Sequence, residues 1–321
     1  MHVVFGANGR AGGETARALM ANGEPVRVVV RRPEQGKAWA ALGAEVALAS
    51  LDNAEQVSAA LKGATAAFLL NPPPVAGDPF GQTAEIGAAL AQAVRRADLS
   101  RSVILSSIGA QHETGTGVIA TLHQVEAMLA GTAPATAFLR SGYFVETWSE
   151  VAEACVSEGV LPSFLEPDRK IPMVSTIDIG RAAARLMSHN WAGTRIVELA
   201  GPEDWSASDV AAAFAKVLGR PVEPVLVPPE QREAVLAEAG LSAEVTAALL
   251  GMYEGIANGR FTRQAGTEHW RGTTSLTAAV ERIVTKLRAA ATIHANLVMA
   301  GGLPAPADSH CHSCRNPTVA S

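Results

Sequence analysis

The opening residues constrain this chain more than any other stretch. His2-Val3-Val4-Phe5 is a short apolar run, followed by glycines at 6, 9 and 12 and a helix-like segment from Glu14 to Ala21. A buried strand that turns sharply into a helix aims the helix's free N–H groups and its positive dipole end into the turn. That arrangement favours an anion such as a pyrophosphate. Gly6 would permit the tight turn, Gly9 close approach to the phosphates, and Gly12 close packing of helix on strand. The spacing follows a strand and opens a helix, so Gly6, Ala7, Asn8, Gly9, Arg10, Ala11 and Gly12 are candidate dinucleotide-binding residues.

The next apolar run, Val26-Arg27-Val28-Val29-Val30, ends in Arg31-Arg32. A site selecting NAD places an Asp or Glu at this point to accept hydrogen bonds from the ribose 2′-hydroxyl. Here the first acid is Glu34, beyond Pro33. Two guanidiniums suit a 2′-phosphate instead, because arginine offers a planar fork of donors and a permanent charge. Arg10 would add a third. NADP(H) is the cofactor these residues indicate.

Composition closes off other classes. A net charge of −5 over 321 residues argues against a nucleic-acid or membrane-surface footprint. Hydrophobic content of 48% is ample for a globular core. Cys155, Cys311 and Cys314 do not read as a disulfide framework, which points to a reducing compartment and the cytoplasm. Neither a basic leader nor an apolar run of about 20 residues is evident.

Strand-like runs near 2–5, 26–31, 44–48, 65–70, 101–106 and 135–140 alternate with helical patterns near 11–22, 35–42, 53–62, 79–97 and 119–130. Strands apolar on both faces and separated by helices predict a parallel sheet covered on each side. Right-handed crossovers make it a Rossmann-type, doubly wound α/β sheet with the ligand outside the strand C-termini. Asp52, Leu70-Asn71-Pro72 and Ser106-Ser107 fall at those ends. Asp52 is read either as reaching the adenine or as capping the following helix, and Asp178 as a helix N-cap.

Beyond residue 141 the alternation breaks. The reading assigns 1–150 to the nucleotide-binding domain, with segments near 172–200 packing back on it, and 151–288 to a smaller mixed α/β substrate lobe. Ser206 and Asp209 predict a helix start, Gly219 its stop. Residues 289–321 read as a flexible tail. Its His310-Cys311-His312-Ser313-Cys314 run has soft ligands but no second cluster to complete a tetrahedral site, so no metal is expected.

Taken in order, Phe5 to Gly12, Val30-Arg31-Arg32, Ser106 to Ala110, Phe138 to Phe144, Ser175 to Gly180 and Leu199 to Glu203 resemble the NmrA-like family, an atypical branch of the short-chain dehydrogenase/reductase superfamily. The resemblance covers roughly residues 1–285. It implies NADP(H) held by the glycine turn, the arginine after strand two and the loops after strands four and five. Leu70, Asn71, Pro72, Ser106 and Ser107 would then border the ribose and nicotinamide, and Glu126 would join the cofactor-binding set. The family divides between reductases of quinones, isoflavone-like substrates and azo dyes, and regulators that bind NADP without evident chemistry.

Ordinary short-chain dehydrogenases pair a Tyr with a Lys four residues on. Here Tyr143 and Tyr253 are followed at that spacing by Thr147 and Ala257, and no Lys occurs between Lys62 and Lys170. Reduction of an unactivated ketone is therefore not expected. Hydride transfer to a quinone asks less, because the hydroquinone anion is resonance-stabilised and positioning supplies most of the acceleration. The reading is a flavin-free NADPH-dependent reductase of quinone-like or azo-type small aromatic acceptors, with His112, His123 and Tyr143 as catalytic candidates. Tyr143, Phe144, Trp148 and Phe164 would line the acceptor pocket. The alternative is a silent NADP(H)-sensing regulator acting through a homodimer or a protein partner.

Overall fold

The computed structural model describes the backbone of residues 1–299 and the side chains of residues 1–292. The His/Cys run at 310–314 lies outside the described residues. In chain order the first half contains β1 (His2–Phe5), α1 (Arg10–Ala21), β2 (Val26–Val30), α2 (Lys37–Ala41), β3 (Glu45–Leu48), α3 (Ala54–Leu61), β4 (Ala66–Leu69), α4 (Pro79–Arg96), β5 (Arg101–Ser107), α5 (Ala120–Leu129) and β6 (Ala135–Ser141). The second half adds β7 (Tyr143–Phe144), α6 (Ala152–Ser157), β8 (Val160–Ser163), β9 (Met173–Val174), α7 (Thr176–Ser188), β10 (Gly193–Ala200), α8 (Ala207–Leu218), β11 (Glu223–Leu226), α9 (Pro229–Glu238), α10 (Ala243–Ala257), β12 (Glu268–Arg271) and α11 (Leu276–Met299).

Eight strands form one sheet in the order β12-β10-β6-β5-β4-β1-β2-β3. Every neighbouring pair is parallel, so all eight strands end at the same edge. The two-residue period of a strand sends Val4, Val28, Phe68, Val103 and Leu139 to one face, where Leu19 of α1 and Ile179 and Met187 of α7 cover them. Val3, Phe5, Val29, Leu69, Ile104 and Phe138 go to the other, under Leu61, Leu90 and Leu129 of α3, α4 and α5. Double-sided burial is why these strands read as unbroken apolar runs.

The sheet is wider than the alternating first half. β10 lies beside β6 and β12 beside β10, so residues 193–200 and 268–271 extend the sheet of the first half. The edge strand β12, Glu-His-Trp-Arg, carries no apolar run and escapes sequence reading. The short pairs β8–β11 and β7–β9 escape it too, two of those strands holding a proline and two being only two residues long. A third apolar cluster includes Trp148, Leu161, Trp205, Phe214, Ile256 and Val280 and joins residues from both halves of the chain. Its last contributor is α11, whose Leu276, Ala279, Val280, Ile283 and Val284 recur at helical spacing. That helix continues to Met299, past the point where the sequence reading began a flexible tail.

Local capping explains several helix starts and corrects two expectations. Asn53, not Asp52, caps α3, accepting from the N–H groups of Glu55 and Gln56. Ser175, not Asp178, caps α7. Asp178 lies one turn in, where its carboxylate accepts from Thr274 N–H at 2.9 Å and Arg181 at 3.3 Å. Ser206 and Asp209 cap α8 reciprocally, and Gly219 ends that helix with φ +70°.

The β1–α1 junction is the tightest packing near the sheet edge. Gly6 adopts φ +66°, a conformation costly for any other residue. A Cβ on Gly12 would run into the Gly6 carbonyl oxygen and lie 2.6 Å from that of Phe5, both unyielding backbone atoms. Gly12→Ala is expected to destabilise the fold by about 1–3 kcal/mol in urea denaturation, the range for overpacked sites. An unchanged midpoint would contradict this account of the junction.

Candidate functional site

The strand C-termini gather most of the expected cofactor residues. Gly9 starts α1, and no side chain caps that helix. Its first N–H groups therefore open into the turn closed by the Gly9 N–H to Gly6 C=O hydrogen bond at 2.8 Å. Ala7 and Ala11 are buried beneath the turn. Asn8 reaches sideways, its Nδ2 donating to the Gln35 carbonyl at 3.0 Å while its Oδ1 accepts from the Trp39 indole at 2.8 Å.

The three guanidiniums expected around one phosphate are not equivalent. Arg31 is exposed after β2 and forms no ion pair among the described residues. Arg32 is held by Glu34 at 2.8 Å. Arg10 leans the other way, across the cleft, to Glu150 at 2.9 Å, Ser149 at 3.2 Å and Thr147 at 3.3 Å. Asp52 lines an open groove with Glu85, Arg95 and Arg96 along α4. After β4, Asn71 donates to Thr83 Oγ1 at 2.9 Å, while its Oδ1 is buried without a protein partner. Leu70 packs over Gly6, and Pro72 follows in the same loop.

Ser106 and Glu126 belong to a buried charged row. Ser106, Arg140, Glu198 and His269 are direct register partners across β5, β6, β10 and β12. Glu126 of α5 grips Arg140 through both oxygens, at 2.7 and 2.8 Å, and accepts from Ser106 Oγ at 2.5 Å. Arg140 also donates to Gln264 at 2.6 Å and lies 3.7 Å from Glu198. Glu198, fully buried, accepts the Gln264 N–H at 2.9 Å and is 3.3 Å from His269 Nε2. Burial disfavours the Arg140 charge, but the hydrogen bonds and charges of Glu126 and Glu198 outweigh it and hold its pKa above the ordinary arginine value. The carboxylate of Glu126, expected to meet the cofactor, is thus wholly engaged inside the protein, as is the Ser106 hydroxyl. Ser107 Oγ donates to the Ile108 carbonyl at 2.9 Å.

Arg140 was expected at a strand end, whereas Glu198, Gln264 and His269 were not among the expected site residues. The signal available was a charged residue inside each of two apolar strands, Leu139-Arg140-Ser141 and Val197-Glu198-Leu199. Their adjacency becomes visible only with the strand register.

Of the catalytic candidates, His123 donates from Nδ1 to the Ala110 carbonyl at 2.9 Å, which leaves Nε2 as its second polar atom. It makes no contact with Glu126 three residues on, despite the shared helix face. His112 is half-buried in the loop after β5. Tyr143 meets a partner that sequence did not indicate, Tyr253 of α10, with 3.3 Å between the hydroxyls. Burial pushes both phenols above their ordinary pKa, Tyr143 strongly, so both are neutral at pH 7. Trp148 lies 6.1 Å from Tyr143 by ring centroids, and Phe164 meets Tyr253 edge-on at 5.1 Å. Arg232 sits 5.4 Å over Phe164. Phe144 departs from this aromatic group and packs against the α1–α7 side of the sheet.

Other chemistries lack support in the described residues. Cys155 is buried, which pushes its thiol up to about 11, far from a reactive thiolate. No cluster of three or more His, Cys, Asp or Glu side chains is arranged to hold a metal ion among the described residues. Nor is any described helix long and apolar enough to cross a membrane.

The model of the NmrA-like family matches residues 2–274. The chain belongs to the NmrA-like family. Two relatives within reach of this NmrA-like chain are reductases. It is 24% identical over 255 residues to the NAD(P)H azoreductase of Xenophilus azovorans, covering 79% of this chain and 86% of the relative. It is 28% identical over 225 residues to quinone oxidoreductase 2 of Escherichia coli K12, covering 69% and 76%. The crystal structure of the Escherichia coli NADPH-dependent quinone oxidoreductase with NADPH superposes with a TM-score of 0.74 at 26% identity, covering 88% of this chain and all of that one.

The buried row makes the NmrA-like core sensitive at one position. Arg140→Met would leave Glu126 and Glu198 facing each other without a counter-charge. The expected cost is about 3–5 kcal/mol, the range for breaking a buried pair, read from urea denaturation. A loss below about 1 kcal/mol would mean that the row is solvated.

Proposed function

We propose that this protein is an NADPH-dependent, flavin-free reductase of quinone-like or azo-type aromatic acceptors. The observation that carries the cofactor half is an uncapped helix N-terminus over a glycine turn, with Arg31, just beyond β2, in no ion pair among the described residues. The residues fit a dinucleotide. Gly6 holds the turn at φ +66°, which glycine adopts without strain, and the buried Asn71 Oδ1 still needs a donor. Gly6 to Gly12 would hold the pyrophosphate, Arg31 the 2′-phosphate, and the loops at Leu70–Pro72 and Ser106–Ser107 the ribose and nicotinamide. When bound, the nicotinamide supplies a hydride.

The chain's own part is to bind, orient and polarise. The row from Ser106 to Glu198 holds the ends of β5, β6 and β10 rigidly, which fixes the floor of the site. Tyr143 and Tyr253 share one hydrogen bond between their hydroxyls, which leaves one O–H of the pair to donate to an acceptor oxygen or nitrogen. Phe164 and Trp148 extend the apolar surface beside them. Because a reduced quinone anion is stabilised by resonance, water suffices as the final proton source. The azoreductase and quinone-reductase relatives support this acceptor class.

A second reading is a sensor that binds NADP(H) without turnover, and the raised phenol pKa values favour it, since neither tyrosine is activated for rapid proton donation. Loss of nicotinamide absorbance with a panel of quinones and azo dyes separates the two. Turnover is expected with at least one acceptor; tight NADPH binding with none would establish the sensor. Arg31→Asp is expected to raise the NADPH dissociation constant about a hundredfold, through loss of a charge-assisted pair and added repulsion, and to change NADH by a few-fold at most. Equal losses would refute the 2′-phosphate assignment. Tyr253→Phe is expected to lower kcat about tenfold with NADPH affinity intact. An unchanged kcat would remove the tyrosine pair from the reaction.

A further inference from the structure

The turn that carries Arg31 is built around one side chain. Gln35 Oε1 accepts from two successive N–H groups, Arg31 N at 3.2 Å and Arg32 N at 3.1 Å. The Gln35 N–H returns to the Arg32 carbonyl at 3.1 Å, closing a single 3-10 turn over Pro33–Gly36. Its carbonyl receives Asn8 Nδ2 from the glycine turn at 3.0 Å. Asn8 is fixed in turn by the indole N–H of Trp39, which is 4% exposed and has Arg17 stacked 5.3 Å above it.

These bonds join two anion subsites that lie on different elements. Asn8 sits in the turn that opens α1, and Arg31 follows β2, the next strand of the sheet. Gln35 is the residue bonded to both. Arg32 is already drawn to Glu34, so the direction of Arg31 depends on its backbone. That backbone has no ladder partner for its N–H beyond the strand end other than Gln35. A donor held in place before the ligand arrives loses less entropy on binding.

We infer that Gln35 is a positioning residue that sets coenzyme preference: it fixes the Arg31–Arg32 backbone relative to the glycine turn, so that Arg31 faces a phosphate on the adenosine ribose. The inference rests on the NADPH reading above. It concerns the 2′-phosphate end alone, since NADH lacks the group that Arg31 would meet.

Gln35→Met keeps the length of the side chain and removes its acceptor, and residue 35 is only half-buried, so the fold should tolerate it. Fluorescence titration of the full chain should show the NADPH dissociation constant rising about tenfold, as expected for two lost backbone hydrogen bonds. NADH should stay within about twofold, and the melting temperature should fall by a few degrees at most. In an Arg31→Ala background the same substitution should change neither coenzyme further, because its effect passes through Arg31. Equal weakening of both coenzymes would make Gln35 a purely structural residue and overturn the inference. A gain in NADPH affinity would overturn it too, by showing that the amide oxygen occupies the phosphate's own position. An effect persisting without Arg31 would do the same. If the unmodified chain bound neither coenzyme, the cofactor reading and this one would fall together, which is distinguishable from failure of the variant alone.

Discussion

Everything at the site depends on the backbone-to-backbone contact between the β1 turn and the first turn of α1. Gly12 lies against the carbonyls of Gly6 and Phe5 with no room for a methyl group, and Gly6 takes the left-handed conformation that starts the reversal. That contact sets where the uncapped end of α1 points. The parallel register then does the rest, bringing the ends of β2, β4, β5 and β6 to the same edge as the turn. A cleft for a long anionic ligand follows from geometry before any side chain is considered.

The ends of β5, β6 and β10 carry a charged row that is largely buried. One guanidinium is shared between two buried carboxylates, with Ser106 at one end and His269 at the other. Such a row contributes little net stability relative to an apolar one, since desolvation offsets attraction. Its effect is directional. Arg140 and Glu198 both bind Gln264, so the loop between α10 and β12 is pinned to the sheet, and Gln111 adds a bond from the β5 loop to Thr262 at 2.9 Å. The lobe is thereby fixed over the strand ends rather than merely adjacent to them.

The lobe's contribution is aromatic. Tyr143 arrives from the strand side, Tyr253 from α10 and Phe164 from the loop after β8, and they meet in one aromatic group. α10 can come so near because Gly255 passes within contact of Gly115 and Thr116. No activated tyrosine of the dehydrogenase kind results, because burial raises both phenols.

Sequence alone determined the six strands of the first half and the helices between them, the glycine turn and the arginines after β2, because each rests on local signals: double-sided apolar runs, capping residues and glycines with a steric reason. The helix starts at Ser206 and stops at Gly219 as read, for the same reason. Where two neighbouring residues could both cap, as Asp52 and Asn53 could, local chemistry did not choose, and the backbone angle into α3 did. Only tertiary structure decided that Glu126 turns inward to Arg140, that Arg10 crosses to Glu150, that Phe144 leaves the aromatic group and that Tyr253 joins it. Those outcomes depend on partners between 14 and 140 residues away along the chain, brought near by strand register and helix packing, which no local pattern encodes.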